Sequence, residues 1–186
     1  MHKLPGNKQE SFMEKALQDC IDKQAIYDVL VRYSHGVDRC DLDMLKSAYW
    51  PDGTDDHGTF SGNAMEFCEM LMPALKAMHA TMHNIGSHLI ELRGDEAKVQ
   101  SYCVAYHQFP SPDGEGDVEM VVGGRYLDRM TKRGGEWRIM ERVYVLDWNR
   151  NGPSTARWDG DLYGKLKTRG SRFPEDPYYG FFPAGK

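Results

Sequence analysis

The order of periodicities along the chain predicts an α+β fold, with a curved antiparallel β-sheet wrapped around N-terminal helices and an irregular C-terminal extension. Three observations carry this. Apolar residues recur at helical spacing up to Met78, alternation takes over between His83 and Trp148, and a Gly123-Gly124 pair interrupts one alternating run. Helices followed by an antiparallel meander is the α+β order. Paired glycines inside a strand mark a bulge or sharp bend, which a strongly curved sheet requires.

Residues 1–10 are polar and read as a flexible N-terminus. From Ser11 to Val37, the positions Ile21, Ile26, Val29, Leu30, Tyr33 and Val37 trace one face of an amphipathic helix. Gly36 is expected to loosen its last turn, and Asp38-Arg39-Cys40-Asp41 reads as a connector. A short helix from Leu42 to Tyr49 stops before Pro51, because the residue preceding a proline is pushed out of the helical region. Trp50-Pro51-Asp52-Gly53 is a turn, and Thr54 to Phe60 a short polar strand carrying Asp55, Asp56 and His57. Asn63 and Glu66 have capping-box spacing and open a helix that runs through Met70, Leu71 and Leu75, with a kink or break at Pro73. Four strands follow, His83–Leu92, Ala97–Phe109, Val118–Met130 and Glu136–Trp148, joined by Arg93-Gly94-Asp95, a long loop over 110–116 and the short Lys132-Arg133-Gly134-Gly135. One domain therefore covers 11–148. Residues 149–186 are rich in Gly, Pro, Arg and Tyr without periodicity. Such a segment cannot bury a core of its own, so it is expected to pack on the domain or on a neighbouring subunit.

With 40% apolar and 27% charged residues, the chain reads as a soluble globular protein. A formal charge of −5 argues against a nucleic-acid partner, which calls for a basic face. No apolar run approaches the ~20 residues of a membrane span. The first residues lack the apolar core of a signal peptide, and Cys20, Cys40, Cys68 and Cys103 form no CxxC pair. They are read as reduced thiols in a cytoplasm. There is no P-loop, no G-x-G-x-x-G and no G-x-S-x-G, so neither a nucleotide nor a serine nucleophile is supported. His79, His83 and His88 cluster, but Ala80-Thr81-Met82 lacks the glutamate of an H-E-x-x-H helix, and helix and strand divide the three. No metal and no cofactor are expected.

Two positions stand out for chemistry. Asp38 closes the first helix and His83 opens the first long strand, where a polar group can border a cavity. A free imidazole titrates near ~6.5, and a carboxylate partner would keep His83 a competent base at neutral pH. From the residues alone, a satisfied structural histidine is the reading to prefer over a catalytic pair. Tyr33, more than a turn before Asp38, could supply a proton. In the second strand Val99, Ser101, Cys103, Ala105 and His107 share a face, with Tyr102, Tyr106 and Gln108 on the other. In the fourth, Arg138, Met140, Arg142, Tyr144, Leu146 and Trp148 share a face unless a bulge intervenes. Arg142 is then either a cation set in a mostly apolar cavity or an exposed residue on the outside of the sheet.

Tyr33 with Gly36-Val37-Asp38, Asp56-His57-Gly58 before Phe60-Ser61-Gly62, Met82-His83-Asn84, Gly124-Arg125-Tyr126-Leu127-Asp128-Arg129 and Gly135-Glu136-Trp137-Arg138-Ile139 occur in that order. Over about residues 20–148 the chain thereby resembles the SnoaL-like branch of the nuclear transport factor 2-like superfamily. The resemblance implies a cone-shaped fold with an internal pocket, assembled as a homodimer or homotrimer. Its relevant members are cofactor-independent lyases: hexachlorocyclohexane dehydrochlorinase, scytalone dehydratase and bile-acid dehydratase. Asp38 and His83 fall on the dehydrochlorinase's proton-abstracting dyad, and Arg142 falls near its active-site arginine. Tyr33 stands where the dehydrochlorinase has a lysine and bile-acid dehydratase a tyrosine, which moves the expectation from loss of halide to loss of water. His57 sits about where the dehydratases present a pocket tyrosine. A bile-acid dehydratase aspartate maps near Ala105, two residues from His107. The chain as a whole, with four Trp and ten Tyr, is also similar to sphingomonad diarylpropane lyases.

The resemblance thus implies a lyase with Asp38, His83, Tyr33 and Arg142 as catalytic residues. His57, Tyr49, Trp50, His107, Tyr144 and Trp148 are the candidate substrate-binding residues. The expected reaction is loss of water, or dehydroxylation with release of formaldehyde, from a small hydroxylated aromatic substrate such as a lignin-derived diarylpropane. An isomerase or cyclase of the same fold, or a non-catalytic binding module, are the alternatives.

Overall fold

A computed structural model describes residues 8–182. In chain order it contains α1 (Lys8–Arg39), α2 (Leu42–Ser47), β1 (Tyr49–Asp56), β2 (Ser61–Asn63), α3 (Ala64–Ala77), β3 (Ala80–Arg93), β4 (Glu96–Pro110), β5 (Asp117–Arg133), β6 (Glu136–Pro153), α4 (Gly160–Tyr163) and α5 (Pro177–Phe181). The six strands form one sheet in the order β2-β1-β6-β5-β4-β3. β3 to β6 are the expected antiparallel meander. β1 pairs parallel to β6, so the sheet is mixed rather than wholly antiparallel. Helices α1 and α3 fill its inner face. Of the segment expected to be a flexible N-terminus, residues 8–10 are the first turn of α1, and the rest lies outside the described residues.

Helix α1 continues through Gly36 to Arg39, which puts Asp38 on its last turn rather than in a connector. Gly36 is needed for close approach. A Cβ there would lie 2.6 Å from the Leu45 backbone nitrogen of α2, and the Gly36 carbonyl accepts the Asp41 amide at 2.9 Å. The helix ends at Cys40, whose φ of 53° is left-handed, and Asp41 then caps α2 by accepting the Met44 N–H at 3.0 Å. Ile26, Val29, Leu30, Tyr33 and Val37 are buried as their spacing demands, whereas Ile21 and the earlier Phe12, Met13 and Leu17 are exposed. Asn63 caps α3 through the Met65 and Glu66 amides, and Pro73 is carried on the exposed side of a continuous helix instead of breaking it.

Two register shifts bend the β5–β6 pair, at Gly123/Gly124 and at Arg129/Met130. At the first, a Cβ on Gly124 would lie 2.4 Å from the Val145 carbonyl oxygen and 2.6 Å from the Tyr144 hydroxyl, so only glycine allows the strands to cross there. The second leaves Met140 without a partner on β5 and reverses the alternation. Trp137 and Ile139 point into the core before it, Arg142 after it. The single face expected for Arg138, Met140 and Arg142 is therefore split.

The C-terminal segment returns to the corner between α1 and α2. Arg39 Nη1 donates to the Ser171 carbonyl at 3.0 Å and pairs with Asp176 at 2.9 Å. The Tyr179 hydroxyl donates to Asp41 at 2.8 Å, and the Tyr178 ring packs on His35.

Candidate active site

Between the inner face of the sheet and helices α1 and α3 lies a cavity of about 170 Å³. An apolar cavity of ~150 Å³ holds a benzene molecule, so this one has room for a single substituted aromatic ring. Its walls are mostly apolar, from Val37, Phe67, Leu71, Leu75, Met78 and Val122. The polar groups in the wall are Tyr33, His57, His83, Cys103, His107, Tyr126 and Tyr144. A larger groove of about 660 Å³ lies on the outer side of β4, against residues 155–170, but no pair of acid and base borders it.

At one end of the cavity, α1 and β3 bring Asp38 against His83. Asp38 Oδ1 accepts the His83 Nδ1–H at 2.8 Å, and Oδ2 accepts the His83 backbone N–H at 2.7 Å. One carboxylate thus fixes both ring and backbone of its partner. Burial alone would raise the Asp38 pKa, but the hydrogen bonds and charge of His83 hold it below the usual carboxylate range. An ionised Asp38 selects the tautomer protonated at Nδ1, leaving Nε2 of His83 as the acceptor for the cavity. His107 stands perpendicular to His83 with ring centroids 5.3 Å apart. Burial, reinforced by the neighbouring His83, pushes its pKa down to about 4, so it is neutral at pH 7.

A second carboxylate–imidazole pair enters from β1. His57 Nδ1 hydrogen-bonds Asp55 Oδ1, and Asp55 Oδ2 accepts the Tyr49 hydroxyl at 2.5 Å. The His57 ring stacks on Phe67 at 4.6 Å and on Tyr144 at 5.2 Å.

Arg142 lies behind this wall. Its guanidinium makes a two-point pair with Asp128, at 2.7 and 2.8 Å, and neither side chain has any exposure. It also sits 4.2 Å from the Tyr33 ring and 4.0 Å from the Tyr126 ring. Burial pushes the Tyr33 phenol far above its ordinary pKa, with the Arg142 charge opposing only in part.

The SnoaL-like domain pattern matches residues 18–143. The chain belongs to the SnoaL-like domain family. An uncharacterised Mycobacterium tuberculosis protein is 26% identical over 125 residues, 66% of this chain and 83% of its own length. Among solved structures, a putative scytalone dehydratase from Novosphingobium aromaticivorans shares the fold with a TM-score of 0.63 at 19% identity, over 76% of this chain and 97% of its own. The hexachlorocyclohexane dehydrochlorinase of Novosphingobium barchaimii does so with a TM-score of 0.66 at 15% identity, over 78% and 99%. The nuclear transport factor 2-like architecture expected from the sequence is the one observed.

Within this SnoaL-like cone, Tyr33, His57, His83, His107 and Tyr144 meet at the cavity. Arg142 is in neither of the two places left open for it, since it is inside the sheet but screened from the cavity by Tyr33 and Tyr126. Tyr49 is fully buried one step behind His57. Trp50 lies away from the cavity, between the guanidinium groups of Arg133 and Arg138 at 4.9 Å each, and donates to the Thr131 carbonyl. Trp148 is half exposed over Gly123 and does not line the cavity. Asp55, Phe67, Tyr126 and Asp128 complete the site without having been singled out. For Asp55 a signal exists, because residues two apart on a strand share a face, and Asp55 and His57 are two apart. His79 pairs with Asp117 and His88 stacks on Tyr27. Among the described residues no three His, Cys, Asp or Glu side chains converge as a metal-binding group. No helix there is long and apolar enough to cross a membrane.

Proposed function

We propose that the protein is a cofactor-independent lyase that removes a hydroxyl group from a small phenolic substrate, one ring of which occupies the cavity. The observation that carries this reading is the Asp38–His83 pair, with both carboxylate oxygens committed to the histidine and Nε2 left for an apolar, ring-sized cavity. Asp38 holds the tautomer and stabilises the imidazolium formed when His83 takes a proton. A positioned base of this kind contributes ~10²–10⁴-fold in rate. Tyr33, as a neutral phenol, polarises the leaving oxygen. Arg142 stabilises negative charge developing in the cavity only through the two tyrosine rings it supports. Two structural relatives named for eliminations, a dehydratase and a dehydrochlorinase, agree with this class of reaction.

With a phenolic 1,2-diarylpropane-1,3-diol the chemistry balances without a redox partner. His83 takes the proton of the terminal hydroxyl, and the terminal carbon departs as formaldehyde. The electron pair of the broken carbon–carbon bond forms the new double bond, while the benzylic hydroxyl leaves with a proton as water. The products are one stilbene, one formaldehyde and one water. A ring-sized cavity requires the second ring to lie at its mouth. Incubation of the protein with such a diol, followed by stilbene absorbance and formaldehyde assay, is expected to give the two products in equal amounts. A product of unchanged mass would establish an isomerase instead, and bound but unaltered diol a binding module.

A further inference from the structure

We propose that Asp55 and His57 form a second acid–base dyad, on the wall opposite His83, that delivers the proton taken up by the departing hydroxyl. This rests on the lyase reading above. Any elimination from an alcohol needs two proton transfers, one removed from the substrate and one given to the leaving oxygen. His83 can serve one of them at a time. Of the other polar groups in the wall, burial suppresses the acidity of Tyr33, Tyr126, Tyr144 and the Cys103 thiol, and His107 is held neutral. His57 repeats the arrangement of His83, with Nδ1 tied to a carboxylate and Nε2 left for the cavity it lines. An imidazole has one nitrogen to hold to a carboxylate and a second to pass a proton to a substrate.

The surroundings are built for this ring. Asp55 is fully buried, and a buried carboxylate is costly unless paired and hydrogen-bonded. Its two oxygens go to His57 and to the Tyr49 hydroxyl, so the fold maintains a desolvated charge whose partners are these two groups. Phe67 and Tyr144 stack on His57 with no ring contact between them, hence on its opposite faces, and fix the plane of the imidazole. Position supplies the opposition of the two dyads. His57 follows β1 and His83 lies on β3, four strand-to-strand steps away in the sheet, yet its curvature brings both to one cavity of about 170 Å³. In this step His57 acts as the imidazolium: its Nε2–H passes to the leaving oxygen as the carbon–oxygen bond breaks, and the neutral ring stays hydrogen-bonded to Asp55 through Nδ1–H. Solvent then takes the proton that His83 collected and returns one to His57.

The test compares two substrates in the same variants: the diol above, and its analogue with acetate in place of the benzylic hydroxyl. Acetate departs without needing a proton. His57→Gln, His57→Asn and Asp55→Asn are expected to lose at least 100-fold in kcat/KM on the hydroxyl substrate and less than 10-fold on the acetate. His83→Gln is expected to lose heavily on both. Turnover of the acetate also reports that each variant is folded. An equal loss on both substrates in all three variants, or no loss on either, overturns the inference while leaving the lyase reading in place. A parent protein that turns over neither substrate overturns the lyase reading and this inference with it.

Discussion

Replacing Asp128 by Asn tests whether Arg142 is a buried strut or a group of the cavity. The substitution keeps shape and removes only charge. In the folded protein the Arg142 guanidinium has no exposure, its hydrogen bonds go to Asp128 alone, and its Nη1 has no partner among the described residues. Removing one member of a buried ion pair costs ~3–5 kcal/mol, because the remaining charge stays desolvated. The contacts with Tyr33 and Tyr126 persist in the variant, and desolvated cation–π contacts are worth ~2 kcal/mol. They place the cost at the lower end, about 3 kcal/mol, or ~6–12 °C in Tm for a domain of this size. Urea and thermal unfolding at pH 7 measure it. Asp128→Leu combined with Arg142→Met should restore most of the loss, since a matched apolar replacement of a buried pair is close to neutral. A stability within 1 kcal/mol of the parent for Asp128→Asn would refute the argument, and would mean that the guanidinium reaches water through the cavity.

Two further outcomes follow from the geometry. His107 is depressed to about 4 in the folded state against ~6.5 unfolded, so its contribution to stability is complete above pH 6.5 and is lost as the pH falls towards 4. The loss amounts to ~3 kcal/mol at the acid end of that window. His107→Gln should show a shallower decline than the parent there, and an identical slope would contradict it; His35, also lowered by burial, is common to both proteins. Arg172 donates to the Asp38 carbonyl, to Thr81 Oγ1 at 2.8 Å and to the Leu75 and Met78 carbonyls, tying the C-terminal segment to both strands of chain that carry the dyad. Hydrogen bonds from a charged donor are worth ~1.5–3 kcal/mol, so Arg172→Ala should speed amide exchange at Thr81 and His83 at least ~10-fold. Unchanged protection would show that the segment holds nothing in place.

Much of this was legible along the chain. The 3.6-residue face of α1, the Asn63 cap and the alternation of β3 to β6 are local patterns, and they mark their elements directly. Asp38 and His83 stood out because one ends a helix and the other opens a strand, and the resemblance supplied their pairing. What escaped is long-range or depends on one extra residue. Met140, unpaired, reverses the side-chain parity of β6, so Arg142 could not be given a face from alternation. Trp50, expected at the cavity, faces the arginines of the β5–β6 hairpin instead. The parallel pairing of β1 with β6 and the contact of Arg172 with Asp38 join residues far apart in the chain, for which no local pattern exists. Asp55 beside His57 is readable from strand geometry, since the two are two residues apart and share a face.

The most direct measurement is kcat/KM on the phenolic diol for the parent, Asp38→Asn and His83→Ala. With His83 as the base and Asp38 as its holder, His83→Ala should fall by at least ~10²-fold and Asp38→Asn by a comparable factor. Full turnover in both variants, on a substrate the parent converts, would contradict the assignment of the reaction to this dyad.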